Sequence, residues 1–402
     1  MKKLIRLFIF LFLFIPISIK AEVPDINSRN AVMINLNNNE IIYEKNQDEE
    51  IKVASMQKIM TSLIAVEKID NLDEEFVIPS GMFDGLDPDL AIVGFSAGDT
   101  VSYNDLLYAT LLKSGADAAY ALGIEVSGSE EEYVKLMNEK VKELGLKHTV
   151  FKNTSGLDAE GQYSSTYDMA IILKYAMNNK KFRKIISTPE YTTNNENYTF
   201  SGPVKKAKKY EMNYYVGGKT GFTDEAGLCL ASYASYNNVD YVLVTAGADQ
   251  SLDDQNFIDQ KALFDYFMQN YSFQTIVKKG YNYKTVKTMY NDEIKLNASR
   301  DVTMYLNNGV FQKDIKHVYK GKTKLERGIK KGDKIGKYSI IYNDKVLYEE
   351  DVLSPITVRF KLNKTMKIIL IIIVGSMIIH LWLRSIRRKK RRRKRRRKRR
   401  YR

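Results

Sequence analysis

Residues 53–66 read V-A-S-M-Q-K-I-M-T-S-L-I-A-V, and they are the stretch from which the fold and the chemistry of this chain are best approached. The apolar residues recur at helical spacing, which predicts a helix over residues 55–69. Ser55 and Lys58 are one turn apart on that helix, so the hydroxyl and the amine lie side by side. A lysine that burial and a neighbouring positive charge keep neutral can accept the hydroxyl proton. The N–H groups at the helix start are also available to a developing oxyanion.

The segments on either side of this helix predict a layered domain. Ala31–Leu36 and Glu40–Glu44 alternate like strands and are joined by three asparagines, which indicates a hairpin. Leu228–Tyr236 and Val239–Ala246 form a second predicted hairpin around Asn237-Asn238. Strands at both ends of a helical middle favour one α/β domain over residues 22–270, with αβα layers built from distant chain segments.

The helical middle carries recognisable helix starts. Three serines are each followed by a carboxylate three residues later, which predicts capping boxes. The pairs are Ser102 with Asp105, Ser129 with Glu132, and Ser165 with Asp168.

From about Tyr271 the sequence changes to short β-prone runs. Val302–Leu306, Tyr338–Tyr342 and Lys345–Tyr348 are examples, with a turn at Asn343-Asp344. We therefore expect a small all-β domain over residues 271–358.

The charge of the chain is concentrated at one end. The net charge is +15, but residues 384–402 contain sixteen Lys and Arg residues, so the remainder carries a net charge of −1. The body is not basic, and no nucleic-acid partner is expected.

Both ends of the chain have features of membrane targeting. Residues 1–21 have a basic start, an apolar run and small residues before Glu22, which predicts a signal peptide; an uncleaved N-terminal anchor is the alternative. Residues 366–383 are strongly apolar, which predicts a transmembrane anchor. The basic tail, residues 384–402, then belongs in the cytoplasm and the body outside the cell membrane. Anionic lipid is the expected partner of the tail.

The residue types exclude several kinds of site. The chain has three histidines, His148, His317 and His380, and none lies in a pattern typical of a serine–histidine triad. Neither a zinc-ligand pattern nor a glycine-rich phosphate loop is visible, so we expect no metal and no cofactor. The single cysteine, Cys229, is interpreted as a small buried residue.

Two further motifs lie downstream of Ser55. Ser114-Gly115-Ala116-Asp117 stands between two apolar helical runs, and alone it would be a simple helix–helix turn. Lys219-Thr220-Gly221 combines a cation, a hydroxyl and a glycine, a set suited to a substrate carboxylate; its alternative interpretation is a glycine-rich turn. The order S-x-x-K, then S-G 59 residues later, then K-T-G another 105 residues on, is the pattern of penicillin-binding proteins and serine β-lactamases.

The sequence around these motifs resembles one branch of that group. Asn30–Thr61, Asn153–Asp168 and Lys219–Gly227 are similar to segments of low-molecular-mass D-alanyl-D-alanine carboxypeptidases. The resemblance covers about residues 25–270, and the predicted β domain also fits the family's architecture. It implies a β-lactamase-like catalytic domain, a peptidoglycan stem peptide as substrate, and β-lactam antibiotics as inhibitors.

The resemblance also implies roles for individual residues. Ser55 would be the acylated nucleophile and Lys58 its base, while Ser114 would pass protons to the leaving group. The expected substrate-binding residues are Lys219, Thr220, Gly221, Phe222 and Thr223. Lys219 would polarise Ser114, and the hydroxyls of Thr220 and Thr223 would bind the terminal carboxylate of the substrate. The N–H groups of Phe222 and Ser55 would together form the oxyanion hole.

Three positions depart from the family's pattern. Ala116 stands where an asparagine is usual, so either Asp117 takes its place or the rate is reduced. Gln57 replaces a common threonine, which we expect to matter little. The anchor is transmembrane rather than an amphipathic helix. A β-lactamase, a transpeptidase and a non-catalytic or weakly active penicillin- or muropeptide-binding membrane protein remain the alternatives.

Overall fold

The computed structural model describes residues 22–87, 90–310, 312–360 and 364–398. The predicted signal peptide and the last four residues of the basic tail lie outside these ranges. The chain divides after Asn270 into two compact units, which are described separately below.

The strands of the first unit form one main sheet and two short ribbons. The main sheet has five antiparallel strands in the order β2-β1-β9-β8-β7. β1, from the start of the unit, therefore pairs with β9, which lies near its end. The strands are β1 (Asn30–Asn35), β2 (Glu40–Lys45), β3 (Glu75–Val77), β4 (Thr100–Ser102), β5 (Glu190–Thr192), β6 (Thr199–Ser201), β7 (Tyr215–Thr223), β8 (Gly227–Tyr236) and β9 (Val239–Ala248).

Both predicted hairpins are confirmed. β1 and β2 pair through the asparagine turn, and β8 pairs with β9 around Asn237-Asn238. Both of these asparagines have positive φ, which is the conformation that a two-residue turn between twisted strands requires.

The helices of this unit lie on the two faces of the sheet. They are α1 (Lys58–Lys68), α2 (Tyr103–Tyr108), α3 (Ala116–Ser127), α4 (Glu130–Glu143), α5 (Thr166–Ala176), α6 (Lys180–Ile186), α7 (Pro203–Lys209) and α8 (Gln255–Asn270). α5 packs against β1, β8 and β9, and α1 packs on α5. α8 also packs against β8 and β9.

The side chains of β9 show that these two helices lie on opposite faces. Val242 and Val244 belong to the main core with α1 and α5, whereas Thr245 is contacted by Gln260 of α8. Because side chains alternate along a strand, this pattern gives an αβα sandwich, as predicted.

Only the first of the three predicted capping boxes is complete. Ser102 and Asp105 bond reciprocally at the start of α2. Ser129 and Ser165 each accept from the N–H of the third residue, but the carboxylates bind elsewhere. Glu132 pairs with Lys135, and Asp168 binds Thr149 and the N–H of His148, so competing partners replace the second half of the box.

The second unit is an all-β domain followed by one long helix. Its strands are β10 (Tyr271–Val277), β11 (Asn282–Thr288), β12 (Glu293–Asn297), β13 (Val302–Asn307), β14 (Lys316–Gly321), β15 (Lys324–Leu325), β16 (Lys334–Tyr342) and β17 (Lys345–Leu353). They enclose a core of their own that includes Val286, Leu325 and Ile340. The mixed catalytic domain followed by a β domain matches the predicted fold class.

The helix α9 (Lys364–Lys398) is exposed along its whole apolar part. It is long and apolar enough, by length and composition, to cross a membrane, and this suggests a membrane anchor. Its basic end continues the same helix to Lys398.

Candidate active site

Ser55 lies in a tight turn directly before α1. The predicted helix begins as a 3₁₀ turn, Ala54–Gln57, and becomes α-helical at Lys58. Ala54 has a φ of 46°, a left-handed conformation that costs a non-glycine residue about 1–3 kcal/mol. Ser55 is partly exposed whereas Ala54 and Met56 are buried, so the turn presents one hydroxyl to solvent from an otherwise closed core.

Lys58 is the nearest titratable group to that hydroxyl. Its Nζ lies 3.0 Å from Ser55 Oγ and donates a second hydrogen bond to the carbonyl oxygen of Ser155. Only 2% of Lys58 is exposed. Burial lowers the pKa of the Lys58 ammonium to about 7, although the negative charge of Asp117 acts in the opposite direction. The amine is therefore about half neutral at pH 7 and largely neutral above it, as a base for Ser55 must be.

The loop over residues 153–157 closes one side of the nucleophile turn. Gly156 has a φ of 83°, and a Cβ there would collide with the carbonyl oxygen of Ala54. Gln57, which is fully buried, donates from Nε2 to the backbone and side-chain oxygens of Asn153. Gln57 is therefore a structural link between helix and loop, a larger role than we expected from the sequence.

Lys219 and Gly221 bring β7 against the same turn. A Cβ on Gly221 would lie 2.8 Å from Val53 O and 3.2 Å from Met56 N, so only glycine allows the strand to pass this close. Lys219 is 1% exposed, and its Nζ donates to Thr220 O at 2.9 Å. Burial and the positive charge of Lys58 hold the pKa of the Lys219 ammonium well below its usual value. The two lysines are therefore electrostatically coupled.

The residues around Gly221 supply the open wall of the site. Thr220 is partly exposed, and Phe222 is 50% exposed. Thr223 Oγ accepts from the N–H of Ala226 at 3.0 Å, which closes the turn after β7. Its hydroxyl proton can still be donated to a ligand.

Ser114 follows an unusual helix end. α2 continues into a π-helical segment, Ala109–Lys113, and the N–H of Gly115 donates to Ala109 O at 3.1 Å. Ser114 itself is left-handed, with a φ of 67°. Segments of π-helix occur often at functional sites, and a left-handed non-glycine residue persists only where its surroundings impose it.

Asp117 does not occupy the place of the missing asparagine. Its buried carboxylate accepts hydrogen bonds from the N–H groups of Val93, Gly94, Phe95 and Ala118. The alternative in which Asp117 replaces the asparagine is therefore not supported. Ala116 instead borders a cavity of about 220 Å³ that also contacts Tyr120 and Ser155.

The sequence did not predict the contacts of three of these contributors: it assigned no role to Ser155, little importance to Gln57, and to Asp117 only that of a substitute for the asparagine. The carbonyl of Ser155, the amide of Gln57 and the carboxylate of Asp117 all organise the site through backbone contacts. The turn-forming N-T-S-G stretch at residues 153–156 was the visible signal for the first. The third had no sequence signal beyond its place beside Ser114.

Comparison with known proteins identifies the family of the chain. Residues 17–250 match the family model described as D-alanyl-D-alanine carboxypeptidase, and residues 271–359 match that of the penicillin-binding protein 5 C-terminal domain.

Individual relatives extend over most of the chain. The chain is 30% identical to D-alanyl-D-alanine carboxypeptidase DacF of Bacillus subtilis, over 84% of this chain and 86% of that protein. It is 29% identical to DacC of Escherichia coli, over 86% and 88%. The crystal structure of penicillin binding protein 5 from Haemophilus influenzae superposes with a TM-score of 0.64 at 26% identity, covering 85% of this chain and all of that one. The chain therefore belongs to the D-alanyl-D-alanine carboxypeptidase family of serine peptidases.

Proposed function

We propose that this protein removes the terminal D-alanine from peptidoglycan stem peptides through an acyl-enzyme on Ser55, and that β-lactams acylate the same residue. The observation that carries the proposal is the 3.0 Å contact between Lys58 Nζ and Ser55 Oγ, with a lysine pKa of about 7. A nucleophile paired with a base of matched pKa is the minimal requirement for acyl transfer.

The first half of the reaction forms the acyl-enzyme. Ser55 Oγ attacks the carbonyl carbon of the penultimate D-alanine as its proton passes to Lys58 Nζ. The oxyanion accepts hydrogen bonds from the N–H groups of Ser55 and Phe222. The tetrahedral intermediate then collapses and the C–N bond breaks. The departing amine takes the proton of Lys58 through Ser114, which returns Lys58 to its neutral form. Free D-alanine leaves.

The second half regenerates the enzyme. Water attacks the ester carbon and gives a proton to Lys58, after which the ester bond breaks and Ser55 Oγ recovers its proton. In the first half, Lys219 polarises Ser114, and the hydroxyls of Thr220 and Thr223 donate to the carboxylate of the terminal residue. These assignments are supported by the convergence of β7 and the nucleophile turn at Gly221.

The test is labelling of the full-length protein in detergent with a fluorescent penicillin, together with D-alanine release from a D-Ala-D-Ala peptide. Ser55→Ala should abolish both, because loss of the serine nucleophile in other hydrolases costs about six orders of magnitude in kcat. Ser62→Ala is the matched control, since its buried hydroxyl on the same helix has no hydrogen-bond partner in the described structure. Labelling of another serine in the Ser55→Ala variant would reject the proposal.

The remaining alternatives have distinct outcomes in the same assay. A non-catalytic binding protein would be labelled without releasing D-alanine. A β-lactamase would turn the penicillin over rapidly instead of retaining the label. A transpeptidase would transfer the acyl group to an added amine in preference to water.

We also propose that α9 spans the cell membrane over residues 366–383, with the catalytic domain outside and the basic tail on the cytoplasmic leaflet. Each basic residue near an anionic surface contributes about 1 kcal/mol of binding. A peptide of residues 384–402 should bind vesicles containing anionic lipid and not zwitterionic vesicles, and the binding should weaken steeply as salt is added. Equal binding to both vesicle types would reject the lipid assignment.

A further inference from the structure

The carboxylate of Asp117 is buried without a basic side chain bonded to it in the described part of the chain. It is 2% exposed, and backbone amides surround it instead. Val93 N donates at 3.0 Å, Gly94 N at 2.9 Å and Phe95 N at 3.2 Å, and Ala118 N adds a fourth at 2.9 Å. Charge-assisted bonds of this kind are strong.

These bonds fasten a loop to the motif that carries Ser114. The N–H of Ala116 donates to Ala91 O at 2.8 Å, so the loop 91–95 is tied to the start of α3 at both of its ends. A Cβ on Gly115 would lie 2.6 Å from Val93 Cγ2 and 2.9 Å from Asp117 Oδ1. Glycine is therefore required directly after Ser114 because the loop packs against that point.

The far side of the loop is fixed as well. Phe95 packs edge-on against Tyr198, with ring centroids 4.9 Å apart. The Tyr198 hydroxyl donates to Asp99 Oδ2 at 2.9 Å and also lies 3.2 Å from Gly94 O. The loop is thus held between Asp117 and Tyr198, and the left-handed turn at Ser114 is braced by a rigid neighbour.

Asp117 also acts on the lysines of the site through its charge. The negative charge of Asp117 raises the pKa of Lys58 against the effect of burial, and the positive charge of Lys58 in turn lowers the pKa of Lys219. On its other side Asp117 raises the pKa of Tyr198, where burial and the bond to Asp99 dominate. The charge of Asp117 therefore acts on the pKa of Lys58 and of Tyr198. Lys58 in turn acts on Lys219, and Tyr198 is bonded to Asp99.

We propose that Asp117 is a positioning residue of the acyl-transfer site: its carboxylate holds the Ser114-Gly115 turn against the loop 91–95 and supplies the counter-charge of the Lys58–Lys219 pair. Asp117 does not touch the substrate in this scheme. It acts through Ser114, which it helps to orient, and through Lys58, whose ionisation it biases. The inference rests on the proposed role of Lys58 as the base.

The sign of the effect follows from the charge. Neutral Lys58 is the active form, and Asp117 favours the protonated form. Removing the negative charge should therefore let Lys58 lose its proton at lower pH. The acid limb of the pH–rate profile for acylation should shift to lower pH by about one unit, because a nearby opposite charge changes a pKa by about this much.

The experiment measures the acylation rate of the full-length protein by a fluorescent penicillin as a function of pH. Asp117→Asn should shift the acid limb to lower pH and lower the maximal rate, because an amide cannot accept from all the N–H groups that the carboxylate binds. Asp117→Glu retains the charge and should keep the limb at its wild-type position while lowering the rate. Asp105→Asn is the control, since this aspartate is equally buried at a helix start but is not a cause of the shift in the pKa of Lys58.

The possible results separate the two hypotheses. The proposed positioning role of Asp117 is overturned if the acid limb of Asp117→Asn stays at the wild-type pH. It is also overturned if the limb of Asp117→Glu moves by as much as that of Asp117→Asn. Failure of the wild-type protein to be labelled at Ser55 overturns the proposed function instead. Should Asp117→Asn not fold, Asp117→Glu still decides: a lowered rate with the limb at its wild-type position supports the inference, and a wild-type rate or a shifted limb rejects it.

Discussion

At the residue scale, the protonation state of one amine governs the pH range in which Ser55 can react. Lys58 must be neutral to accept the proton, and its pKa of about 7 predicts that acylation is half-maximal near pH 7 and falls tenfold per pH unit below that. The Lys58→Arg variant should be inactive at every pH, because a guanidinium stays protonated. The acylation rate measured between mildly acidic and mildly basic pH checks this. An acid limb of the pH–rate profile near the ordinary pKa of lysine would show that Lys58 is not the base.

Ala116 is the second residue whose chemistry can be tested directly. Asp117 is engaged with the loop 91–95, and the cavity beside Ala116 leaves room for a larger side chain. Ala116→Asn should therefore raise kcat/KM on a D-Ala-D-Ala peptide about ten- to hundredfold, because one hydrogen bond at a charged site is worth about 1.5–3 kcal/mol when it tightens in the transition state. Ala116→Val is similar in size but has no amide, and it should bring no gain. A lower rate for Ala116→Asn would mean that the cavity serves another purpose.

At the scale of elements, the contact between the loop 153–157 and the nucleophile turn is the critical junction. Gly156→Ala places a Cβ against the carbonyl of Ala54 and should therefore displace Ser55 as well as strain the loop. Gly161→Ala is a matched control: its φ of 70° carries the same backbone penalty, about 1–2 kcal/mol, but its Cβ would meet only the end of Lys152 at 3.5 Å. Thermal unfolding should show both variants destabilised, and penicillin labelling should be lost only in Gly156→Ala. Retained labelling in both would show that the turn adapts.

The elements themselves were largely predictable from the sequence. Both hairpins have asparagine turns whose chemistry is local, and the helix after Ser55 has a regular apolar period. The 3₁₀ start at Ala54 and the π-helical segment before Ser114 were not predicted, because both depend on packing between distant parts of the chain. Ala54 is left-handed where Gly156 fits against it, and the Ser114 turn is braced by residues 91–95.

The site was predictable to the extent that its residues lie in short motifs. Ser55 and Lys58 share one helical turn, so their contact follows from spacing alone. The contacts of Lys58 with Ser155 and of Asp117 with Gly94 run between backbone and side chains across long chain separations. Every residue has backbone donors and acceptors, so residue identity does not indicate which of them a side chain will bind. For this reason the supporting contacts were missed, whereas the candidate reacting groups could be proposed from the motifs.

At the scale of the whole molecule, the chemistry and the anchor occupy separate parts of the chain. The three motifs end at Thr223, and the first unit has a core of its own. The apolar helix starts at Lys364, and the β domain between them also has its own core. Because none of the proposed site residues lies beyond Thr223, the acyl-transfer reaction should not depend on α9.

Deletion of residues 368–402 tests this separation. The deletion removes most of the exposed apolar surface of α9 together with the basic tail, so the shortened protein should leave the membrane fraction and remain soluble without detergent. Its rates of penicillin labelling and of D-alanine release should equal those of the full-length protein in detergent, because both cores stay intact. Ser55→Ala in the shortened chain gives the background. Turnover on polymeric peptidoglycan in vesicles should fall even so, since an unanchored enzyme is no longer concentrated at the surface. If the shortened chain folds, as judged by cooperative thermal unfolding, but is not labelled, then the anchor contributes to the site itself.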